Sequence, residues 1–412
     1  VKNLSCQIEV SLERAVELCC AQAHPLNTES IVLEAALNRV AALEVPSPIQ
    51  VPTFSRSQMD GFTLTGSDLL RLGAGACLEL QVAATVPAGW QETVRFFPGQ
   101  TVSIMTGAMI PGNTAAIVKQ EDVENKGDYI KLSGSPVQGQ YIDPPGCEIE
   151  AGETIIGTGQ EINPGSIERL AAAGLTRVTV YTIPRVYIIG CGSELCLPGK
   201  VLPEGKIYHS HRHYMLAKVQ TENCKGILGE GEVVDDLGLI TEEIRKGLGE
   251  GDLLIISGGT AQGKYDLVAD ALRQLGADFL FRSIASKPGR NVSCSSLEGC
   301  LVFNLPGRPS AGGIMFDLLL APVLRKIRGS TDCGQRWLKL RLSENIVGKG
   351  ELRSFRRGEL VADEPALLAR PLAKHESGRG KIPLLLDIEP GRSKKGDIVR
   401  ALLLNRETWD WI

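Results

Sequence analysis

The chain has 412 residues, a formal net charge of −4, 43% hydrophobic residues and 22% charged residues. That length exceeds a single core and implies about two to four domains of ordinary globular composition. The slightly negative balance excludes a global attraction to nucleic acid or anionic membranes, while leaving room for a local basic pocket. The 11 cysteines are odd in number and include no C-x-x-C pair, which argues against a zinc ribbon or a disulfide framework and for a reducing compartment. No basic–apolar–small pattern opens the chain and no apolar run is long enough to span a bilayer, so a cytoplasmic location is expected.

Residues 1–47 read as helices. Leu12, Ala15, Val16 and Cys19 share one helical face, and Leu33, Ala36, Leu37 and Val40 share another. His24-Pro25 and Asn27-Thr28 separate them, and Pro46, Pro48 and Pro52 stiffen the exit. Residues 48–143 form a mainly β region. Cys77 to Val86, Thr93 to Phe97, Val102 to Met105, Ala115 to Lys119 and Tyr129 to Leu132 read as its short strands. Two turns there place a polar side chain beside glycine: Met59-Asp60-Gly61 and Met105-Thr106-Gly107-Ala108. In residues 144–183, Asn163 suits a helix N-cap, Pro164 the first helical position and Gly174 the C-terminal stop. Arg177 to Tyr181 follows as a strand. This segment returns to the helical character of residues 1–47.

Residues 184–329 alternate strand and helix, the pattern of a parallel sheet covered on both faces. Val186 to Ile189, Leu253 to Ile256, Phe279 to Ala285 and Leu301 to Phe303 are its strands. Helices are expected at Met215 to Val219 (ended by Gly226), Ile240 to Leu248, Tyr265 to Leu275 and Ser310 to Ile327. Ligands of such sheets sit beyond the carboxyl ends of the strands. Those ends carry Gly190-Cys191-Gly192-Ser193-Glu194, Ser257-Gly258-Gly259, Lys287-Pro288-Gly289-Arg290 and Leu305-Pro306-Gly307-Arg308-Pro309-Ser310. Glycine lets the backbone approach a ligand, and helix starts offer free N–H groups. With Lys287, Arg290 and Arg308 on the same rim, a concave phosphate or oxyanion site is expected. Residues 330–412 form a small C-terminal β region, with strands at Trp337 to Leu342, Leu384 to Leu386 and Ile398 to Leu404.

Taken together and in order, Met59-Asp60-Gly61, Met105-Thr106-Gly107-Ala108, Gly192-Ser193-Glu194-Leu195, Ser257-Gly258-Gly259 with Asp266, Lys287-Pro288-Gly289 and Leu305-Pro306-Gly307 resemble the molybdopterin molybdenumtransferase family, which includes MoeA and the E domain of gephyrin. The resemblance implies a multi-domain α/β protein. Its parts would be a Rossmann-like parallel α/β molybdopterin-binding domain, two mainly β domains (the last a small barrel) and the helical linker. It also implies a homodimer, adenylylated molybdopterin and molybdate as substrates, Mg²⁺ as cofactor and release of AMP. A molybdopterin adenylyltransferase and an acceptor molybdoenzyme are the protein partners it suggests.

The resemblance assigns roles residue by residue. Lys287 and Arg290 stand at the family's Lys-Pro-Gly-Lys, Ser310 at the serine opening the next helix, and Arg357 at an arginine of the last domain; all four would hold molybdate. Ser257, Gly258, Gly259, Pro306 and Gly307 would cradle the pterin nucleotide. Glu194, Asp252 and Asp266, with Glu148 from across the dimer, would hold the cation, and Asp60 and Thr106 would join the catalytic set.

The family's pattern is not intact. Ala115 and Ser193 stand where it has aspartates, Cys191 where it has threonine, and Asn113 where it has glycine. Glu148 replaces an aspartate, His209 and His211 the aspartate and asparagine of Tyr-Asp-Ser-Asn, Arg308 an asparagine and Asn291 a proline. Ser377-Gly378-Arg379-Gly380 lacks paired serines. The substitutions make the pocket more positive, favouring anions over Mg²⁺. A degenerate paralogue that binds molybdopterin or an oxyanion as a cofactor chaperone is therefore the alternative to an enzyme. His209, His211 and His213 would share one face of a strand but precede a helix, where that spacing does not align them, so no metal site is expected there.

Overall fold

In the computed structural model, the described residues are 7–230, 233–259, 266–348, 351–363, 366–373 and 382–404. The centre is a seven-stranded sheet. Its elements are β1 (Gln7–Val10), α1 (Leu12–Gln22), β2 (Arg185–Gly190), α2 (Ser210–Thr221), β3 (Lys225–Leu228), α3 (Leu237–Glu250) and β4 (Leu253–Ser257). They continue as α4 (Leu267–Gln274), β5 (Asp278–Ile284), β6 (Ser293–Leu297), β7 (Cys300–Leu305), α5 (Pro309–Met315) and α6 (Ala321–Ile327). The strand order is β1-β5-β6-β7-β4-β2-β3.

Strand β4 shows why this sheet forms. Its residues are all buried, and their alternation sends Leu253 and Ile255 into one core and Leu254 and Ile256 into another. Val186 and Ile188 of β2 join the first core, Tyr187 and Ile189 the second. The first face is covered by α1, α2, α5 and α6, the second by α3 and α4. Helix α5 runs through a π turn (Phe316–Leu320) into α6, and the Gln335 side chain donates to the turn's Asp317 and Leu318 carbonyls at 2.7 and 2.9 Å.

The sheet is mixed rather than purely parallel, because β6 runs antiparallel to both β5 and β7. Its Ser-Cys-Ser-Ser-Leu sequence is buried at Cys294, Ser295 and Leu297, and its hydroxyls hide it from a hydrophobicity reading. β3 was also missed: α2 ends at Thr221, and Gly226 lies in a strand paired in parallel with β2. At the other edge β1 pairs in parallel with β5, Gln7 opposite Phe281. The chain's first strand and helix therefore belong to this sheet's packing.

The expected second helix is absent. Thr28–Val32 is a strand antiparallel to Arg177–Tyr181, and only a 3₁₀ turn, Leu33–Ala35, follows. Asn38 adopts φ 61°, which ends any helix, while Leu33, Ala36 and Val40 are still buried. The helix expected after Asn163 is present as Pro164–Ala172, capped by the Asn163 side chain at 2.9 Å from the Ser166 N–H.

The mainly β region is a six-stranded sheet whose longer strands are Gly61–Thr65, Leu78–Val86, Gln100–Ile104, Thr114–Lys119 and Tyr129–Leu132. Thr93 to Phe97 is loop, not strand; Phe96 anchors it in the core with Val94 packed beside it, and Phe97 faces outward. A helix, Gly66–Gly73, was not foreseen, although Thr65 caps it through Asp68 N at 3.2 Å. The last region is a closed five-stranded barrel in which β8 (Ser354–Asp363) lies between Ala366–Pro371 and Pro383–Ile388.

Candidate functional site

The four glycine loops lie at one edge of the sheet, because β2, β4, β5 and β7 all run in the same direction. Ser257 and Leu305 are register partners. The Ser257 carbonyl accepts from Cys191 N at 2.9 Å, and Gly258 N donates to the Leu305 carbonyl at 3.3 Å, so three loops are stitched edge to edge. Gly258 has φ 95°, and a Cβ there would lie 2.0 Å from the Cys191 carbonyl oxygen. Gly259 has φ 64°, and Gly307 sits against Gly258. Glycine is required here because two backbones touch. The Ser257 hydroxyl is buried and has no hydrogen-bond partner among the described residues. The helix-side half of the glycine turn, residues 260–265, lies outside the described residues.

Lys287 and Arg290 are exposed on the loop after β5. That loop is held from within, as the Ser286 hydroxyl donates to the Pro288 carbonyl at 2.6 Å. It is held from without by the barrel: Lys287 N donates to the Arg353 carbonyl at 2.9 Å, Phe355 N to the Lys287 carbonyl at 2.9 Å, and Lys287 pairs with Ser354 of β8. Three residues along β8, about 10 Å away, stands Arg357. Its Nη2 donates to the Tyr214 hydroxyl of α2 at 2.8 Å. Phe355, between Arg353 and Arg357, is buried in the core of the α/β sheet. The barrel strand thus carries one cation of the site and positions another. Ser310 is exposed in the first turn of α5. Ser257, Lys287 and Ser310 stand on one rim, with β4 and β5 three strand spacings, about 14 Å, apart.

The expected cation ligands are not brought together. Asp252 precedes β4 and stands at the amino end of the strand, the opposite edge from Ser257. There its carboxylate accepts from Arg185 N, Nε and Nη2 at 2.8, 3.3 and 3.0 Å, pinning β2 to β4. Glu148 is ion-paired with Arg56, which also binds Asp143 at 3.0 Å. Asp266 caps α4 through Ala269 N at 3.2 Å and meets Arg282 at 3.3 Å. Glu194 is exposed on the loop after β2, its carboxylate folded back toward Gly192. Ser193, in place of an aspartate, exchanges hydrogen bonds with Asp235, each at 3.1 Å. Among the described residues, no group of three His, Cys, Asp or Glu side chains could hold a metal ion. Asp252 is therefore no part of a cation site on the glycine-loop edge.

Asp60 and Thr106 do meet. The Thr106 N–H and hydroxyl both donate to one Asp60 oxygen at 2.7 Å, holding that carboxyl below its ordinary value. This pair belongs to the mainly β sheet, and among the described residues no hydrogen bond joins it to the glycine loops. His209 and His211 are buried, packed over glycines: the ring of His209 covers Gly190 and that of His211 covers Gly312. Burial pushes His211 down to about 4, a shift that the Gly307 backbone partly offsets. His213 is exposed, so the three imidazoles share no face. Sequence reading missed Tyr214 and Arg353; paired Gly312-Gly313 inside a helix was the available signal for a close neighbour at α5. Ser377-Gly378-Arg379-Gly380 lies outside the described residues.

Residues 10–174 match the family described as MoeA N-terminal region (domain I and II), and residues 187–326 match the probable molybdopterin binding domain. A molybdopterin molybdenumtransferase of Haemophilus influenzae is 32% identical over 320 residues, covering 76% of each chain. The chain belongs to the MoeA family. Another MoeA relative, the molybdopterin molybdenumtransferase of a Nostoc species, is 30% identical over 338 residues, 81% of this chain and 77% of its own. The crystal structure of a MoeA protein from Pyrococcus horikoshii superimposes with a TM-score of 0.79 at 28% identity, covering 96% of this chain and 99% of that one. The MoeA fold, with its Rossmann-like molybdopterin-binding domain, is therefore the frame in which these loops sit. Among the described residues no helix is long and apolar enough to cross a membrane.

Proposed function

We propose that this chain is a transferase of molybdenum cofactor biosynthesis, inserting molybdate into adenylylated molybdopterin with release of AMP. The observation that carries the reading is the stitched rim. Three glycine loops offer backbone to a pterin phosphate, and the barrel's β8 sets Lys287 and Arg357 beside them. Molybdate is a tetrahedral dianion, suited to guanidinium, ammonium and N–H donors. Lys287, Arg290, Arg357 and Ser310 are its ligands in this reading. Ser257, Gly258, Gly259, Pro306 and Gly307 take the nucleotide end. Glu194 and Asp266 remain on the loop edge as polar contacts, while Asp252 and Glu148 serve the fold.

The reading includes a homodimer. Met59, Met105 and Met109 are exposed beside the Asp60–Thr106 pair, an apolar surface that a second copy would cover while presenting that pair to a partner's loops. Light scattering of the full chain tests it; a monomer at working concentration refutes it. The activity test follows AMP release from adenylylated molybdopterin with molybdate, with and without Mg²⁺, in the parent protein and in Lys287→Ala. AMP release that requires molybdate, lost in Lys287→Ala, is the expected result. Stoichiometric binding without AMP would replace the enzyme with the chaperone reading, and failure to bind either ligand would refute both.

A further inference from the structure

Arg357 differs from four arginines that tie this fold together. Arg56, Arg185, Arg325 and Arg353 are each engaged by carboxylates. Arg357 is engaged by a neutral phenol: its Nη2 donates to the Tyr214 hydroxyl at 2.8 Å, and its guanidinium lies 6.0 Å from that ring's centroid. The carboxylate of Asp317 also acts on Arg357 electrostatically, but is already ion-paired with Lys218. Tyr214 is itself fixed. Its ring lies on the backbone of α5, where a Cβ added at Gly313 would stand 2.4 Å from the hydroxyl oxygen and 2.6 Å from Cε1. One residue back along α5, a Cβ at Gly312 would meet His211 at 2.4 Å, so α2 and α5 interlock at the start of the helix that carries Ser310.

We propose that Tyr214 is a positioning residue for Arg357, aiming its guanidinium at the oxyanion without neutralising it. This rests on the reading of Arg357 as a molybdate ligand. A guanidinium has five N–H donors, so one bond to Tyr214 leaves enough for a bidentate contact with a tetrahedral dianion. A carboxylate in place of the phenol would orient the arginine equally well but would compete for its charge. An unheld arginine would have to lose its side-chain freedom each time the anion bound.

The test is molybdate binding by calorimetry to the full chain, together with the molybdate dependence of AMP release. Tyr214→Phe keeps the ring on Gly313 and removes the acceptor. It is expected to weaken molybdate about tenfold, with turnover at saturating molybdate and affinity for adenylylated molybdopterin unchanged. Tyr214→Glu should weaken molybdate further by pairing with Arg357, an effect that a merely structural role would not produce. Gly313→Ala, which touches neither ligand, should displace the ring and weaken molybdate in the same direction as Tyr214→Phe. Combining Tyr214→Phe with Arg357→Ala should be no worse than Arg357→Ala alone. If Arg357→Ala leaves molybdate binding unchanged, the assignment of Arg357 fails. If Arg357→Ala weakens it and Tyr214→Phe does not, the role of Tyr214 is refuted while the site stands.

Discussion

Replacing Arg353 with alanine should cost far more than its place at the edge of a barrel suggests. Its guanidinium meets both oxygens of Asp387 in a fork at 2.7 and 2.6 Å and reaches Glu13 of α1 at 2.6 Å. It also lies 5.0 Å from the centroid of the Phe355 ring. The two carboxylates are not equivalent: the Asp387 side chain is 3% exposed, that of Glu13 57%. Removing Arg353 strands a buried carboxylate whose nearest other cation, Arg400, is half-exposed and 3.8 Å away. Breaking a buried pair from one side costs about 3–5 kcal/mol, whereas an exposed pair contributes at most about 1 kcal/mol. Arg353→Ala is thus expected to destabilise by about 3 kcal/mol and Glu13→Gln by less than about 1 kcal/mol. In the cycle with Asp387→Asn, the double variant should cost less than the sum of the singles. Urea denaturation followed by fluorescence measures all of these; Trp337 reports on the barrel because Arg400 stacks on its ring at 4.7 Å. The reasoning fails if Arg353→Ala costs no more than Glu13→Gln. Because Arg353 and Phe355 grip the Lys287 backbone, the same variant should also weaken molybdate binding.

Other outcomes follow from single contacts. Gly258→Ala would force a Cβ against the Cys191 carbonyl at a positive φ, and should cost about 3 kcal/mol or more in a denaturation curve together with nucleotide affinity; an alanine variant as stable as the parent would mean the two loops do not touch. His211 titrates near 4 in the fold against 6.5 for an ordinary histidine, so the unfolded chain takes up its proton first. Its contribution is intact above about 6.5 and is lost as pH falls toward 4, by about 3 kcal/mol at the bottom of that window, and His211→Asn should flatten the stability–pH curve there. Asp60 is held low first by the Thr106 N–H and then by its hydroxyl. Thr106→Val should raise the Asp60 titration midpoint as read by carboxyl carbon NMR, and an unmoved midpoint would remove Thr106 from that role. The sign is that of a depressed carboxyl: its contribution is present above the ordinary aspartate value and lost as pH falls through the folded one.

What the sequence could disclose depended on how local each cause was. The buried run Leu253 to Ile256 and the Asn163-Pro164 helix start are local, and both were readable. The common edge of the four glycine loops followed from strand direction alone. By the same logic Asp252, standing before its strand, belonged at the opposite edge; family likeness, not topology, had assigned it to the site. β6 escaped because serines line a strand that is buried. Leu33 to Val40 imitated a helix because a 3₁₀ turn and a left-handed Asn38 also bury residues three or four apart. The contacts that tie the barrel to the α/β sheet, Arg357 to Tyr214 and Arg353 to Glu13, join residues 143 and 340 positions apart, and no local pattern encodes such distances.

The pairing of β1 with β5 has a further consequence, for synthesis. Gln7 finds its neighbour at Phe281, 274 positions later, so at about 5–20 residues per second the emerging strand waits roughly 15–55 s for its place in the sheet. Throughout that interval, β1 and the apolar side of α1 have no sheet to bury against. Of the elements of this sheet, β1 and α1 thus wait longest for their neighbours and are the ones most in need of protection on the ribosome.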